Sequence, residues 1–250
     1  MLRSLFAITR LFCMKKNIIG IVGILIFISV FAYFGQNLFM PPKQGNIDTK
    51  PFWIVETTPD KLTVFNITLN ESNLEELIFV LGNRLSLSIF EDAGSNQKQL
   101  EGYIRETDVG GFTARVPFTL QTNDTQIDEI MTFLTPSKIS TSKRTIYEIP
   151  EEFHSRFYGN IIETIAFIPM AVSLDETVIL GRFGDNPIKL QEKDKGAFHY
   201  LYPEKGVDVS LDAKGEYQSV VQYITPNEFE EKVLQPLRDN DAKEVPLLQR

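Results

Sequence analysis

The chain has 250 residues, 43% of them hydrophobic and 23% charged, which is the composition of an ordinary globular protein with room for one large or two small domains. Its formal net charge is −8, but Arg3, Arg10, Lys15 and Lys16 all precede the first acid, Asp48, so the chain after residue 40 carries 21 basic against 33 acidic residues, a balance of −12 that repels phosphate backbones and excludes nucleic acid as a partner. Cys13 is the only cysteine and lies beside this basic cluster, which excludes a disulfide or a thiolate metal site from the body of the protein.

Residues 1–16 form the basic segment, and residues 17–39, NIIGIVGILIFISVFAYFGQNLF, carry no charge. About 20 apolar residues cross a bilayer as a helix. The length of the run and the lack of a small-x-small cleavage site after Ala32 favour an uncleaved transmembrane anchor over a signal peptide. The basic flank stays on the cytoplasmic side, which sends the acidic bulk across the membrane and predicts a single-pass inner-membrane protein with a periplasmic body. Cys13 is read as an unmodified thiol, because Thr9-Arg10-Leu11-Phe12 lacks the small residues of a lipoprotein cleavage site. Residues 40–51, opening Met40-Pro41-Pro42, make a stiff and then flexible linker.

Beyond the linker the sequence predicts two copies of one unit, over 52–160 and 161–237. Tyr147-Glu148-Ile149-Pro150-Glu151-Glu152-Phe153 and Tyr223-Ile224-Thr225-Pro226-Asn227-Glu228-Phe229 share the frame Tyr-x-x-Pro-x-Glu-Phe. Ahead of each frame comes an apolar strand, Leu62 to Leu69 or Ile161 to Ile168. A short amphipathic helix follows, Ser72 to Leu81 or Ser173 to Phe183, opened by a capping serine and closed by a glycine, Gly82 or Gly184. The second copy continues as strands 188–191, 197–202, 207–211 and 217–224, and the first as 85–90, 100–105, 112–120 and 145–149, with a helical insertion near 121–143. Each copy closes with a helix whose proline suits the first turn, 150–158 and 226–234, and a loose polar tail occupies 238–250. The predicted fold class is α+β: a single transmembrane helix followed by a duplicated helix-plus-antiparallel-sheet extracytoplasmic domain.

The run from Ser173-Leu174-Asp175-Glu176 to Phe183-Gly184-Asp185-Asn186-Pro187, followed by Phe198-His199-Tyr200-Leu201-Tyr202 and Val207-Asp208-Val209-Ser210-Leu211-Asp212, resembles the α+β module of SmpA/OmlA-type outer-membrane assembly lipoproteins and β-lactamase-inhibitor-like proteins. The resemblance covers about 60 residues of the second copy. It implies an extracytoplasmic protein-binding module without catalysis.

Residues that carry chemistry are few. Gly181 and Gly184 in VILGRFGDNP lack the Gly-Lys-Ser/Thr of a phosphate loop and the third glycine of a dinucleotide fingerprint. His154 and His199 are the only histidines, with no Gly-x-Ser-x-Gly elbow and no paired metal ligands, so no catalytic residue, metal or cofactor is assigned. The carboxylate pairs Glu91-Asp92, Glu151-Glu152, Asp175-Glu176 and Glu230-Glu231 are the material for the alternative reading as an envelope hydrolase, since paired acids do general acid and base work when a cleft separates their pKa values. Three sequons begin at Asn66, Asn70 and Asn123, about the number chance supplies. The candidate partner-contact residues are Phe198, Tyr200 and Tyr202, which alternation places on one face of a strand. If they pack beneath the helix they are core, and if they are exposed they form a docking stripe. The sequence therefore favours a membrane-anchored interaction or assembly module, a non-catalytic accessory subunit of a membrane protein complex. A small-ligand or lipid carrier is the further alternative.

Overall fold

The computed structural model describes residues 49–247 apart from 93, 95–96, 138–143, 194–195 and 216–217. The anchor expected at 17–39, Cys13 and Tyr217 lie outside the described residues. Among the described residues no helix is long and apolar enough to cross a membrane.

The fold is α+β, and its pairings are antiparallel. Strands β1 (Glu56–Thr58), β2 (Lys61–Val64) and β3 (Ile67–Thr68) make a small sheet. After helix α1 (Leu74–Leu81) come β4 (Leu85–Asp92), β5 (Lys98–Val109), β6 (Phe112–Leu120), α2 (Asp124–Met131) and β7 (Arg144–Ile149). The second half runs β8 (Ile162–Pro169), α3 (Glu176–Phe183), β9 (Ile188–Gln191), β10 (Phe198–Tyr202), β11 (Val207–Leu211), β12 (Val220–Tyr223), α4 (Pro226–Phe229), α5 (Gln235–Asp239) and β13 (Lys243–Glu244). The strands β4 to β13 form one ten-stranded sheet in the order β13-β9-β10-β11-β12-β8-β6-β5-β4-β7.

The two helix-to-meander segments share local devices. Asn73 caps α1 by accepting from Glu76 N, and Asp175 caps α3 by accepting from Val178 N. These caps sit later than the serines that the sequence suggested; Ser72 instead accepts the amide of Thr68. Gly82 and Gly184 end the helices at φ 94° and 115° with ψ 170° and 161°. This is an extended backbone at positive φ rather than the left-handed turn expected of Gly184, and essentially only glycine adopts it.

Three elements depart from the predicted units. The strand expected over Leu62 to Leu69 is a hairpin, because Phe65 and Asn66 both take positive φ, 55° and 64°, and reverse the chain between β2 and β3. In the first half β7 crosses to the outer side of β4, while β12 stays beside β11, so β8 fills the place next to β6 and joins both halves into one sheet. The tail is not loose throughout: β13 pairs with β9, Val245 N–H donates to Lys189 O at 3.0 Å, and Leu247 packs against the main core.

The core lies on the first face of the large sheet. Leu74, Leu77 and Leu81 of α1, Ile179 and Phe183 of α3, and Leu62, Val64 and Ile67 of the small sheet meet Leu87, Ile104, Val116, Phe167, Val209 and Tyr223 there. On the second face the closing helical segment puts Phe229, Val233 and Leu237 over Leu190, Leu201 and Ile224. One π-helical turn, Glu230–Leu234, joins α4 to α5, and Gln235 N–H reaches back to Glu230 O. The turn sits just ahead of Pro236, whose missing N–H breaks the regular helical ladder.

Candidate functional site

Phe198, Tyr200 and Tyr202 share the first face of β10, beneath α3. Tyr200 and Tyr202 are 2% and 7% exposed and belong to the main core, while Phe198 is half-buried against it. The docking reading required exposed rings, and the two tyrosines do not provide them in this structure. Their hydroxyls are used inside the fold: Tyr200 OH donates to Glu176 Oε2 at 2.7 Å, and Tyr202 OH donates to Gly184 O at 2.8 Å. Lys189 Nζ completes the first group, 2.6 Å from Glu176 Oε2 and 3.3 Å from Pro246 O. Burial, and then the hydrogen bond to Glu176, push the Tyr200 phenol well above its ordinary value.

The acids proposed for general acid and base work are dispersed. Glu91 accepts from Tyr147 OH, Asp92 accepts from Arg144 Nε, Asp175 is a helix cap and Glu176 faces Lys189. Glu151 and Glu152 are exposed in the first turn of a 3₁₀ segment, Glu151–Phe157, and Glu230 pairs with Arg238 on the surface. His154 is buried with Nε2 at 2.9 Å from Ile149 O, so the proton is on Nε2. Of the three sequon asparagines, Asn70 is half-buried and bonds Glu228 and Gln121, while Asn66 and Asn123 are exposed and Asn123 caps α2. Among the described residues no group of three or more His, Cys, Asp or Glu side chains is placed to hold a metal ion.

The structure instead brings together a polar row on the second face of the sheet. Ser88 pairs in register with Glu101, Glu101 with Thr119 and Thr119 with Thr164. Two residues further along β8, Ala166 pairs with Gln222, and Gln222 pairs with Asp208. All of these polar side chains are buried. At the end of the row His199 is fully enclosed, with Nδ1 2.9 Å from Asp208 Oδ2 and Nε2 3.4 Å from Glu192 Oε1. Burial pushes the imidazolium pKa down, but the Asp208 and Glu192 carboxylates outweigh it and hold the ring protonated to about 10. Its hydrogen bond in turn lowers Glu192.

In the middle of the row lies a small depression with room for about one water molecule, lined by Glu101, Pro117, Phe118, Thr119, Thr164, Ala166 and Gln222. Thr119 and Thr164 hydroxyls bond each other at 2.8 Å. Glu101 and Gln222 are 2% and 3% exposed, and Glu101 Oε1 and Gln222 Nε2 make no hydrogen bond. Arg144 Nη2 stands 3.4 Å from Glu101 Oε1. Burial raises Glu101 to about 8 in spite of that guanidinium, with Asp92 adding to the rise, so the carboxyl is mainly neutral at pH 7. A neutral carboxyl and a carboxamide therefore face one small cavity.

Sequence reasoning assigned His199 a structural place and passed over the rest of the row. The signal was present as single polar residues between apolar neighbours on strands: Glu101 after Leu100, Thr119 between Phe118 and Leu120, Asp208 between Val207 and Val209, and Gln222 between Val221 and Tyr223. Each is ordinary alone, and only the pairing register shows that they form one row. No protein-family model, curated protein or solved structure matches this chain, so the resemblance to the assembly-lipoprotein module rests on the residues quoted for it.

Proposed function

We propose that the chain is a membrane-anchored extracytoplasmic interaction module that serves as a non-catalytic accessory subunit of a membrane protein complex. The observation that carries this reading is the uncharged run 17–39 behind four basic residues, followed by an acidic α+β body. Its geometry is consistent with a short tether. The described chain begins at Thr49, whose hydroxyl accepts the Gly110 amide at 2.9 Å, and Pro51 lies so close to Gly110 that a Cβ there would fall 2.5 Å from Pro51 Cα. The chain from the anchor thus joins the fold at the turn between β5 and β6. The ten residues from Phe39 to Thr49 reach at most about 35 Å, so this turn stays near the bilayer and the body meets membrane-bound partners at high effective concentration. The dispersal of the paired acids into caps and ion pairs favours binding over hydrolysis.

Extraction of native membranes with alkaline carbonate tests the anchor: the full chain remains in the pellet, whereas release into the supernatant would count against it. Purification from gentle detergent at native expression tests the partner, and a chain that runs alone as a monomer would remove the accessory-subunit reading.

A further inference from the structure

We propose that the end of the large sheet where the chain enters from the anchor is a contact surface for the bilayer itself, with Trp53, Ile54, Met170 and Val172 settling into the headgroup interface. The proposal rests on the anchored reading above and adds to it which part of the body faces the membrane. Five large apolar side chains are exposed among the described residues, and three of them, Ile54, Met170 and Val172, belong to this one end. Single apolar side chains are normal on a protein surface, so it is their grouping and their place that call for a cause.

The grouping is built by short-range contacts. Ile54 N–H donates to Pro51 O at 2.9 Å, which folds residues 51–54 into a turn against Gly110. Trp53 in that turn meets Phe112, the first residue of β6, with ring centroids 5.6 Å apart. The next residue, Thr113, accepts the Met170 amide at 3.0 Å as the chain leaves β8, and Met170, Ala171 and Val172 are all exposed. From the last turn of α3 the exposed Arg182 lays its guanidinium 4.1 Å from the centre of the Trp53 ring.

The tether selects the bilayer as the occupant. Thr49 and Pro51 are part of this end, and the ten residues between Phe39 and Thr49 keep it within about 35 Å of the membrane. A tether that short gives roughly millimolar effective concentration, so a patch too small to hold the body from solution is still occupied when the chain is anchored. The chemistry fits as well. A half-buried tryptophan lies at headgroup level, and an arginine on its face can extend to the phosphates while its stem stays with the apolar ring. Lys50 and Arg182 offset Glu56 and Asp108 around the patch, so it escapes the acidic balance of the body and needs no anionic lipid.

Trp53 is the only tryptophan of the chain, so its emission reports this surface without a label. The test is reconstitution of the full chain into phosphatidylcholine vesicles, either plain or brominated near the headgroup end of the acyl chains, with flotation to show that the chain is held by the membrane. The chain should float, and Trp53 emission should be at least about twofold lower in the brominated vesicles. I54D/V172D places charge on two exposed positions and should restore most of the emission while the chain still floats. If the double variant does not fold, V172D alone should restore part of it. F133S removes an exposed ring that follows α2, which starts from the opposite end of β6, and should leave the quenching in place. A floating chain with equal emission in the two lipids, quenching that survives both aspartate variants, or equal relief by F133S would overturn the proposal. An emission that shifts to the blue as protein-to-lipid ratio rises, without quenching by bromine, would overturn it in favour of a second copy of the chain. A chain that fails to float removes the anchored reading and the proposal together, whereas one that floats unquenched removes the proposal alone.

Discussion

At the residue scale, the side chains that look most chemical are tied into the fold. Glu176 in the first turn of α3 faces both Lys189 Nζ and Tyr200 OH, and the lysine and glutamate are each only 7% exposed. Breaking a buried pair leaves an unpaired charge, which typically costs about 3–5 kcal/mol, whereas replacing both partners with apolar residues is often neutral. E176A should therefore lower the urea midpoint sharply, and the double variant E176L/K189M should recover most of the loss. The two glycines of VILGRFGDNP separate cleanly at the same scale. Gly184 holds φ 115° and ψ 161°, and the nearest atom to the place a Cβ would take is Lys205 Nζ at 3.8 Å, so G184A meets a backbone penalty and no clash. We expect a loss of about 1–3 kcal/mol. Gly181 lies inside α3, exposed, with open space where a Cβ would go, so G181A should gain about 0.5–1 kcal/mol. Denaturation of the two variants side by side checks both signs, and a destabilised G181A would mean that the surface at Gly181 serves something other than stability.

At the element scale, α1 and α3 were legible because their signals are local. A cap, an apolar face and a terminating glycine fall within ten residues, and the spacing from Asn73 to Gly82 equals that from Asp175 to Gly184. Strands β4, β6, β9, β10 and β11 were legible for the same reason, through alternation between turn residues. The hairpin at Phe65-Asn66 was not, because neither residue is a glycine and apolar residues continue directly on both sides of the single polar Asn66. The crossing of β7 was not legible either: the insertion that precedes it frees it from the register of β6, and nothing local states which edge it will join. We propose that the two halves descend from one duplicated unit, with β8 taking the edge of β6 that β7 left open. The tail is the other element that composition hides, since Lys243 and Glu244 are exposed and polar yet extend the sheet beside β9. Truncation after Ala242 removes that pairing, the Val245 hydrogen bond and the half-buried Leu247. The expected cost is about 1–2 kcal/mol, most of it from Leu247. Hydrogen exchange localises the effect: β9 amides should exchange faster while α1 amides keep their protection.

At the scale of the whole molecule, the polar row was illegible because its members come from seven strands and meet only through sheet order; that order also fixes how stability answers to pH. Glu101 titrates at about 8 in the fold against an ordinary 4.5. Below 4.5 both folded and unfolded chains hold its proton; between 4.5 and 8 only the folded chain does, so its contribution falls as pH rises through that window. His199 has the same sign over a later window. Its stabilising charge is fully present below the ordinary 6.5 and is lost as pH climbs toward about 10. Glu192 and Glu228 act in the opposite sense, since their carboxyls are held below the ordinary 4.5 and their contribution is lost only in acid. The burial that raises Glu228 is outweighed by its bonds to Lys232, Thr225 and Asn70. The urea midpoint should therefore peak near pH 5 and decline through neutrality to alkaline pH, the reverse of a fold whose buried carboxyls are all ionised. E101Q should flatten the early part of the decline, because an amide has no proton to lose. H199Q should lower the midpoint throughout, by stranding Asp208 against a neutral side chain, and flatten the late part. A wild-type midpoint that is level or rising between pH 5 and pH 9 would mean that neither group is held as the row places it.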